Sequence, residues 1–516
     1  MTLDDPAERG FATDQELPEP TNTDENAAAG LTPDVLADEP ASAAIIAPPP
    51  SDEEAPEHPI DLSVLDIRPG PGRPREYHFP RFDRFTLSNG LTVVNAHVAG
   101  RALVAAQLLL PGGGWTEPAD QAGITVLTGR AMTEGTRRRD ANDFIESAER
   151  LGAEIHADAT WETLSASVEV PRSKFGDALG LLAEMVAEPA FPEAEVERLR
   201  DERMNDLLQA WSDPRRRSER VFPETIYDAA TPYRRPLAGV QSTIRNLDRE
   251  AVVARHRAMI DPASATLVVA GDLGGRSLEE LAERHLGSLS GNATSAEARS
   301  EEIATIEPRL VLVDRPGAPQ SEVRIGHVGV ARSTPDFHAL SVLNAILGGT
   351  FNSRLNRVIR EELGYTYGIS SSFDMRRRPG PFVIRTAVES AVTVPAVLET
   401  LRIVGAFIEA EVEADELVVA RDYLVGVFPL RFESAAQVAS ALGGLIVFEL
   451  PDDELDRYRP RIAEVSALDV QQAAARHIRP ADMSIVIIGD AKHVEAPLRA
   501  AGLGELTIVP ADASPE

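Results

Sequence analysis

The 516-residue chain contains no cysteine. This absence excludes disulfide bonds, thiolate metal sites and a thiol nucleophile, because each of these needs a cysteine sulfur. Lysine is nearly absent too: it occurs at Lys174 and Lys492, and every other basic side chain among the 51 is arginine. No uninterrupted apolar run approaches the roughly 20 residues that a membrane-spanning helix needs. We therefore expect no membrane insertion.

Closely spaced histidines are also missing. Two histidines that bind one zinc ion from the same helix face lie about four residues apart. The nearest pair in this chain, His327 and His338, is much further apart. The chain also has neither a G-x-S-x-G nucleophile motif nor a G-x-x-x-x-G-K-[ST] phosphate loop. The sequence thus predicts no metal site and no hydrolytic site made by this chain alone.

Negative charge is abundant and unevenly distributed. The formal net charge is −31, and residues 1–67 hold 17 Asp and Glu residues against Arg9 alone. An acidic protein has no electrostatic attraction to a phosphate backbone, so we exclude nucleic acid as a partner. The first residues carry neither the basic region nor the apolar stretch of a signal sequence. We therefore expect a cytoplasmic protein.

Residues 1–78 differ in composition from the rest of the chain. They are rich in Pro, Ala, Asp and Glu and show no sustained apolar period. Such a segment cannot bury enough apolar surface to offset the conformational entropy lost on ordering. We predict a disordered, acidic, proline-rich tail, with a docking arm for a partner as the alternative.

Two stretches of the chain repeat each other. Residues 249–272 and 467–490 each contain a helical pattern, a proline, an apolar strand and a closing Gly-Asp pair, in that order. A duplication would produce two domains, which we place at 79–290 and 309–510, joined by a linker at 291–308. Each domain mixes strands with helices, and hairpin turns with longer helical connections. This mixture predicts an α+β fold.

Local patterns assign elements in the first domain. Asn89-Gly90 between two short apolar runs predicts a β-hairpin over 85–94. Further apolar runs predict strands at 103–110, 165–170 and 265–270. Apolar residues at helical spacing predict helices at 124–132, 141–151, 175–187, 193–211 and 249–259.

The most informative stretch is 347–373, LGGTFNSRLNRVIREELGYTYGISSSF. A Gly-Gly pair precedes an amphipathic helix with Leu355 and Ile359 on its apolar side, and Gly364 ends that helix before a strand. This layout resembles the second half of the pitrilysin/insulinase family of zinc peptidases, in the branch that includes the mitochondrial processing peptidases. The resemblance covers residues 80–510 and implies two homologous α/β domains of similar size.

In that family the first domain supplies the motif H-x-x-E-H, whose histidines bind zinc and whose Glu polarises the attacking water. The matching stretch here, GITVLTGRAMTEGT at 123–136, has Val126, Gly129 and Arg130 at these three positions. Val and Gly cannot bind a metal, and arginine would put a permanent positive charge beside a dication. The family's further Glu ligand falls near Asp206, which we interpret as a surface carboxylate. We therefore expect no zinc in this chain.

The resemblance implies a role in catalysis for Arg354 and Tyr367. In active relatives the matching pair reaches across a closed chamber towards the zinc site. Tyr367 would donate its phenol O–H to the oxygen that becomes charged during peptide cleavage, and Arg354 would hold a carbonyl of the substrate. Tyr365, which an alternating strand would place on the same face, is the weaker alternative as donor.

The turn before the helix corresponds to a substrate-binding loop in the noncatalytic subunits of processing peptidases. Its residues here are Gly348, Gly349, Phe351 and Asn352. The loop is short in this chain, which favours a bacterial type of pairing over equivalence to the mitochondrial subunit.

These features predict a zinc-less subunit of a heterodimeric metallopeptidase that hydrolyses peptides. A homologous partner would carry H-x-x-E-H and the zinc, and this chain, inactive alone, would contribute Arg354 and Tyr367. The substrates would be unfolded peptides, bound partly by strand addition to a sheet edge. Two alternatives are a non-catalytic scaffold and a peptide-binding homodimer of the same fold. Retention of the Arg–Tyr pair argues against the scaffold.

Overall fold

The computed structural model describes residues 72, 75–291, 303–304 and 306–511. The predicted tail lies outside the described residues, apart from 72 and 75–78, and so does most of the predicted linker at 291–308. Every helix and strand described below belongs to one compact unit, residues 73–516.

Six strands of the first half form sheet 1. They are β1 (Phe82–Thr86), β2 (Thr92–His97), β3 (Leu103–Pro111), β4 (Glu154–Ala159), β5 (Thr163–Pro171) and β6 (Thr266–Gly271). Their order across the sheet is β1-β2-β6-β3-β5-β4. β2 pairs with β6 in parallel, and the other neighbours are antiparallel. The predicted hairpin is confirmed, because Thr86 lies opposite Thr92 across a turn in which Gly90 has a φ of +90°.

The described residues of the first half also form eight α-helices. They are α1 (Ile124–Met132), α2 (Ala141–Leu151), α3 (Phe175–Ala187), α4 (Glu193–Ser212), α5 (Pro214–Ile226), α6 (Gln241–Ile244), α7 (Arg249–Met259) and α8 (Leu278–Leu286). Side-chain caps fix where four of them begin, among them α2 and α7. The Asp140 carboxylate accepts the N–H of Asp143 at 2.9 Å, and the Asp248 carboxylate accepts the N–H of Ala251 at 2.8 Å. Each cap satisfies an N–H that has no partner inside the helix.

The second half forms sheet 2 and a further set of helices. Its strands are β7 (Leu310–Asp314), β8 (Gln320–Val328), β9 (Ile369–Phe373), β10 (Pro381–Glu389), β11 (Ser484–Gly489) and β12 (Leu506–Val509). Its α-helices are α9 (Phe337–Asn344), α10 (Thr393–Glu409), α11 (Ala414–Val427), α12 (Ala435–Val447), α13 (Glu454–Glu464), α14 (Ala467–His477) and α15 (Ala491–Ala501). Two π-helical segments, Ala345–Gly349 and Asn356–Glu362, lie between α9 and β9.

Sheet 2 repeats the plan of sheet 1. Its order is β12-β7-β11-β8-β10-β9, with β7 and β11 parallel in the positions of β2 and β6. The predicted repeat is confirmed in detail: α7 and β6 recur as α14 and β11, with every boundary shifted by 218 residues. The edge strands differ, because β1 precedes its neighbour in the chain and runs antiparallel, whereas β12 is the last strand and runs parallel. The fold is therefore α+β, with two homologous domains.

Each sheet is buried on both faces, and side chains alternate between two cores. In β3, Leu108 and Leu110 belong to the core made with the helices of the first half. Leu109 points to the other face, the exchange face of sheet 1, where it packs with Val438 and Leu442 of α12. A helix of the second half thus covers sheet 1.

Sheet 2 has an equivalent exchange face. Its side chains include Val311, Val486 and Ile488, and the helix that covers them is α5 of the first half, through Phe222 and Ile226. The two halves therefore exchange one helix each. Neither sheet is covered on both faces by its own half.

One helical segment, Ser390–Glu409, is long and apolar enough to cross a membrane by length and composition, with a mean hydropathy of 1.7. The sequence prediction missed it because Pro395, Glu399 and Arg402 interrupt its apolar run. Its side chains Val397, Val404 and Phe407 are buried in the core of the second half. Packing within the domain accounts for its apolar character.

Candidate functional site

The positions predicted as degenerate metal ligands lie on α1. The N-terminus of this helix is fixed by Glu117, a buried carboxylate that accepts the N–H groups of Gly123 at 3.0 Å and Thr125 at 2.8 Å. Gly129 allows close packing of α1, because a Cβ atom there would lie 2.9 Å from Leu164 Cδ1 and 3.3 Å from a backbone oxygen of β4. The helix is thus present and well anchored, without side chains that bind metal.

Arg130 makes an ion pair at this place. Its Nη2 lies 2.9 Å from Oε2 of Glu202 on α4. Arg198 contacts the other oxygen of the same carboxylate at 2.5 Å. The hydrogen bond from Arg198, together with the charge of Arg130, lowers the pKa of Glu202. Both oxygens of the Glu202 carboxylate therefore already accept hydrogen bonds from guanidinium groups, and the two positive charges would repel a dication.

Asp206, the remaining candidate, does not complete a metal site. Its side chain is 51% exposed, and its nearest ion-pair partner is Arg203 at 3.9 Å. Among the residues that the structure describes, no group of three His, Asp or Glu side chains is arranged to hold a metal ion. The residues at the family's zinc position therefore do not fit zinc.

Arg354 lies at the start of the second helical segment. Its Nε and Nη2 donate to the two carboxylate oxygens of Glu416, at 2.8 Å and 2.6 Å, and its guanidinium lies 4.8 Å from the ring centre of Phe407. The pair is mostly buried, with side-chain exposures of 17% and 16%. Burial alone would raise the pKa of Glu416, but the hydrogen bonds and the charge of Arg354 lower it. Arg354 is therefore held in one orientation.

Tyr367 has the opposite environment. Tyr367 is 95% exposed and lies in the loop just before β9. The loop itself is fixed, because the Thr366 hydroxyl donates to the carbonyl oxygen of Ala387 at 2.7 Å and accepts from the Thr386 hydroxyl at 2.9 Å. The structure thus presents a tyrosine to solvent from an anchored backbone.

The prediction that Tyr365 and Tyr367 share a strand face is wrong. Both residues precede β9, and Tyr365 packs partly buried against the core of the second half. The predicted helix of this stretch exists, but it is π-helical over Asn356–Glu362, with the N–H of Leu363 bonded to the carbonyl of Val358. Of the two tyrosines, Tyr367 is the more exposed and the more accessible to another molecule.

The four turn residues have two different environments. Gly348 is buried, and a Cβ atom there would lie 2.6 Å from the backbone nitrogen of Ser371 in β9, so this glycine serves close packing. Gly349 and Asn352 are exposed. Phe351 is 64% exposed, and the guanidinium of Arg360 lies 4.0 Å from its ring centre. Three of the four are therefore accessible to a ligand.

Sequence reasoning missed Glu202 and Glu416, which hold the two arginines. Each lies more than 60 residues from its partner. The one local signal was at Glu416, whose side chain accepts the N–H of Glu413 at 3.2 Å in a capping box at the start of α11. That signal identifies a helix start and carries no information about Arg354.

Two family models match the chain. The model described as Insulinase (Peptidase family M16) matches residues 92–239. The model described as Peptidase M16 inactive domain matches residues 246–424. The first match lies within the first half of the fold, and the second extends from α7 of the first half to α11 of the second.

Relatives are similar along most of the chain. An uncharacterized zinc protease of Mycobacterium tuberculosis is 24% identical over 424 residues, which is 82% of this chain and 96% of the relative. The non-peptidase homolog YmxG of Helicobacter pylori is 22% identical over 388 residues, 75% of this chain and 88% of the relative. The names of these similar proteins thus include both a protease and a non-peptidase.

Two solved structures share the fold. A peptidase M16 inactive domain from Pseudomonas fluorescens superimposes with a TM-score of 0.73 at 22% identity, covering 79% of this chain and 98% of that one. A protease from Helicobacter pylori superimposes with a TM-score of 0.75 at 18% identity, covering 80% and 100%. The likeness extends over both halves of the fold.

Proposed function

Because this chain belongs to the insulinase family of peptidases (M16) and does not have the zinc-binding residues of that family at Val126, Gly129 and Arg130, we propose that it is the zinc-less subunit of a heterodimeric metallopeptidase. A homologous partner with H-x-x-E-H supplies the metal chemistry. This chain supplies groups that bind the peptide and stabilise charge on the peptide oxygen.

The exposure of Tyr367 is the observation that carries this proposal. A tyrosine that is 95% exposed gains nothing from packing, yet its loop is anchored through Thr366 to β10. An anchored donor needs little reorganisation when negative charge develops on a peptide carbonyl oxygen, and such a donor lowers the barrier by about 3 to 4 kcal/mol. In the complex Tyr367 donates its O–H to that oxygen.

Arg354 acts beside Tyr367 in this proposal. A guanidinium has five N–H groups, and Glu416 accepts from one on Nε and one on Nη2. The remaining N–H groups can donate to a carbonyl of the bound peptide while Glu416 keeps the guanidinium plane in place. Glu416 is then a positioning residue for Arg354.

The peptide is bound along β9. This strand is the last in sheet 2, so its outer edge has no neighbouring strand among the described residues. An unpaired edge presents N–H and C=O groups to which an extended peptide can add as a further strand. Phe351 and Asn352, exposed in the turn between the two π-helical segments, contact the side chains of the peptide.

The partner and the catalytic role are tested together by purification from the native host. We expect this chain to copurify with an H-x-x-E-H homologue and the complex to contain zinc and cleave peptides. Tyr367→Phe in the complex should lower kcat by a factor of about 100 or more, because one oxyanion donor is lost. Tyr423→Phe, which alters another exposed tyrosine on α11, is the matched control and should leave kcat unchanged. Normal turnover by Tyr367→Phe would refute the role of Tyr367.

A non-catalytic scaffold or peptide-binding homodimer is the second candidate. The closed pair of Arg354 with Glu416 favours it, because a pair that is mostly buried needs no substrate to be satisfied. Purification of a zinc-free homodimer that binds peptides without cleaving them would establish this candidate in place of the first.

A further inference from the structure

A cavity lined by arginines lies between α4 and α5. Its volume is about 210 Å³, and its lining includes Arg203, Arg216, Arg217 and Arg220 around Trp211, with Glu219 as the one acidic side chain. The whole chain carries a formal charge of −31. The lining of this cavity is therefore positively charged, although the protein as a whole is strongly negative.

Arg217 is the least compensated of the four. The residue is 6% exposed, and its Nε and Nη2 atoms are buried without a hydrogen-bond partner among the described residues. Its guanidinium lies 4.0 Å from the ring centre of Trp211. A buried cation without a hydrogen-bonded partner is costly, because it has lost its hydration without replacement.

The surroundings of Arg217 add positive charge. Burial lowers its pKa, and the nearby charges of Arg315 and Arg220 lower it further. At Arg203 burial also lowers the pKa; the charge of Asp206 raises it, and the charges of Arg216 and Arg130 lower it. At Arg217 no acidic side chain counteracts this lowering of the pKa.

The acidic residues near the cavity compensate two of the four arginines, Arg203 and Arg220, and leave Arg217 without an acidic partner. The Glu219 carboxylate is 3.4 Å from Arg215 and 3.7 Å from Arg324, neither of which lines the cavity. Glu224 pairs with Arg220 at 3.1 Å, and Asp206 stays 3.9 Å from Arg203. An anion in the cavity would therefore compensate the charge of Arg217, which has no acidic partner among the described residues.

We propose that this cavity is a binding site for a small oxyanion, a phosphate or a carboxylate group. One edge of a guanidinium matches two oxygens of such a group, and Arg217, which lines the cavity, has its Nε and Nη2 buried without a hydrogen-bond partner among the described residues. Arg216, exposed at the rim, and Arg203 add charge. A volume of 210 Å³ admits an anionic group with a few further atoms, and it is below the roughly 300 Å³ at which pockets for larger ligands begin.

The site goes beyond the proposed function, because it needs neither a partner subunit nor peptide cleavage. Two sources can supply the anion: a free phosphate compound, or the carboxylate of a peptide. Titration calorimetry of the full chain separates them. Sodium phosphate and an acidic dipeptide are titrated at constant ionic strength, with sodium chloride as the comparison.

We expect saturable binding of phosphate, the dipeptide or both. Arg217→Gln should weaken it at least about tenfold, since a charge-assisted bidentate contact is lost. Arg216→Ala should weaken it by a factor of about three. Arg499→Gln is the matched control: it removes an exposed arginine that pairs with Glu495 on α15, and it should bind as the unaltered chain does.

Arg216→Ala alters an exposed side chain, so it tests the site even if Arg217→Gln fails to fold. Circular dichroism of each variant verifies folding. Absence of saturable binding, equal binding of chloride, or unchanged affinity in Arg216→Ala and in any folded Arg217→Gln would overturn the proposal. Failure of the peptidase assay would leave this binding result unaffected, so the two proposals fail separately.

Discussion

The two halves of this protein share one plan and differ in the side chains that they carry on the helices between matching strands, β3 and β4 in the first half and β8 and β9 in the second. In the first half, the helix after β3 carries Val126, Gly129 and Arg130, and the cation Arg130 is paired with Glu202 at a partly exposed surface. In the second half, the helical segment before β9 carries Arg354, which is paired in a mostly buried position. The two arginines thus have different surroundings: Arg130 forms an ion pair at the position of the family's metal ligand, and Arg354 forms one in the half that carries the exposed Tyr367.

The halves also depend on each other through α5 and α12, which take equivalent places in the two domains. Each helix covers the exchange face of the other domain's sheet. A duplicated protein can keep two independent domains, but this one has made each domain incomplete without the other. The following predictions test that dependence and the difference between the two arginines.

Separating the halves should have the largest effect. Residues 75–291 expressed alone should not reach a native fold, because the exchange face of sheet 1 would expose Leu109, Val268 and their neighbours to water. Coexpression with residues 306–511 should restore a soluble complex. Chromatography and circular dichroism measure both. A stable, monomeric first half would refute the dependence on α12.

Truncating the exchanged helices should come next. Leu442→Ala in α12 and Phe222→Ala in α5 each remove a buried side chain from an exchange face, and each should lower the free energy of unfolding by about 3 kcal/mol. Urea unfolding measures the change. Leu468→Ala, at a residue that is 50% exposed, is the control and should have little effect. If one helix proves insensitive, the exchange is less symmetrical than the packing indicates.

Acidification should destabilise the second half through His327. Burial lowers the pKa of His327 to about 4, while its Nε2 accepts the N–H of Arg479 at 3.1 Å. The unfolded state then binds the proton more tightly, so stability is lost as the pH falls from about 6.5 towards 4. Between pH 7 and pH 5 this group should cost roughly 2 kcal/mol.

His327→Gln keeps a donor and an acceptor without the titration, so its unfolding free energy should change less over the same range. Urea unfolding of both proteins at pH 7 and pH 5 provides the comparison. An equal loss of stability in the variant would assign the pH dependence to other groups.

The smallest of the predicted effects is the difference in stability between variants that break the two arginine pairs. Arg354→Ala should lower the free energy of unfolding by roughly 1 to 2 kcal/mol, because it leaves the mostly buried Glu416 without its bidentate partner. Arg130→Ala should have a smaller effect, because the side chains of its pair are 42% and 44% exposed. Thermal unfolding of the two variants measures the order, and the reverse order would contradict this reading of the two sites.

Much of the fold follows from local sequence. The predicted helices at 124–132, 141–151 and 175–187 agree with α1, α2 and α3 at both ends, because caps such as Asp140 and breaks such as Gly152 (φ +63°) act within one turn. The repeat was predictable for the same reason. The exchange of α5 and α12 was not, because an amphipathic helix shows which side is apolar and does not show which sheet it covers.

The candidate site was predictable in its parts and not in its arrangement. The loss of metal ligands at Val126, Gly129 and Arg130 could be read directly from the sequence. The environment of Tyr367 could not, because the alternation expected of a strand does not apply to a loop, and the anchoring of that loop depends on Thr366 reaching Ala387 in β10. Long-range contacts of this kind decide which side chain is exposed.

The exchange of helices also sets the order of events during synthesis. α12 ends at Val447, so the exchange face of sheet 1 remains uncovered until about seven-eighths of the chain has left the ribosome. Domains of most proteins fold as units from the N-terminus as they emerge. Here the first domain must wait for the second, and from the completion of β6 at Gly271 until α12 emerges the nascent chain carries an apolar surface that a chaperone can recognise.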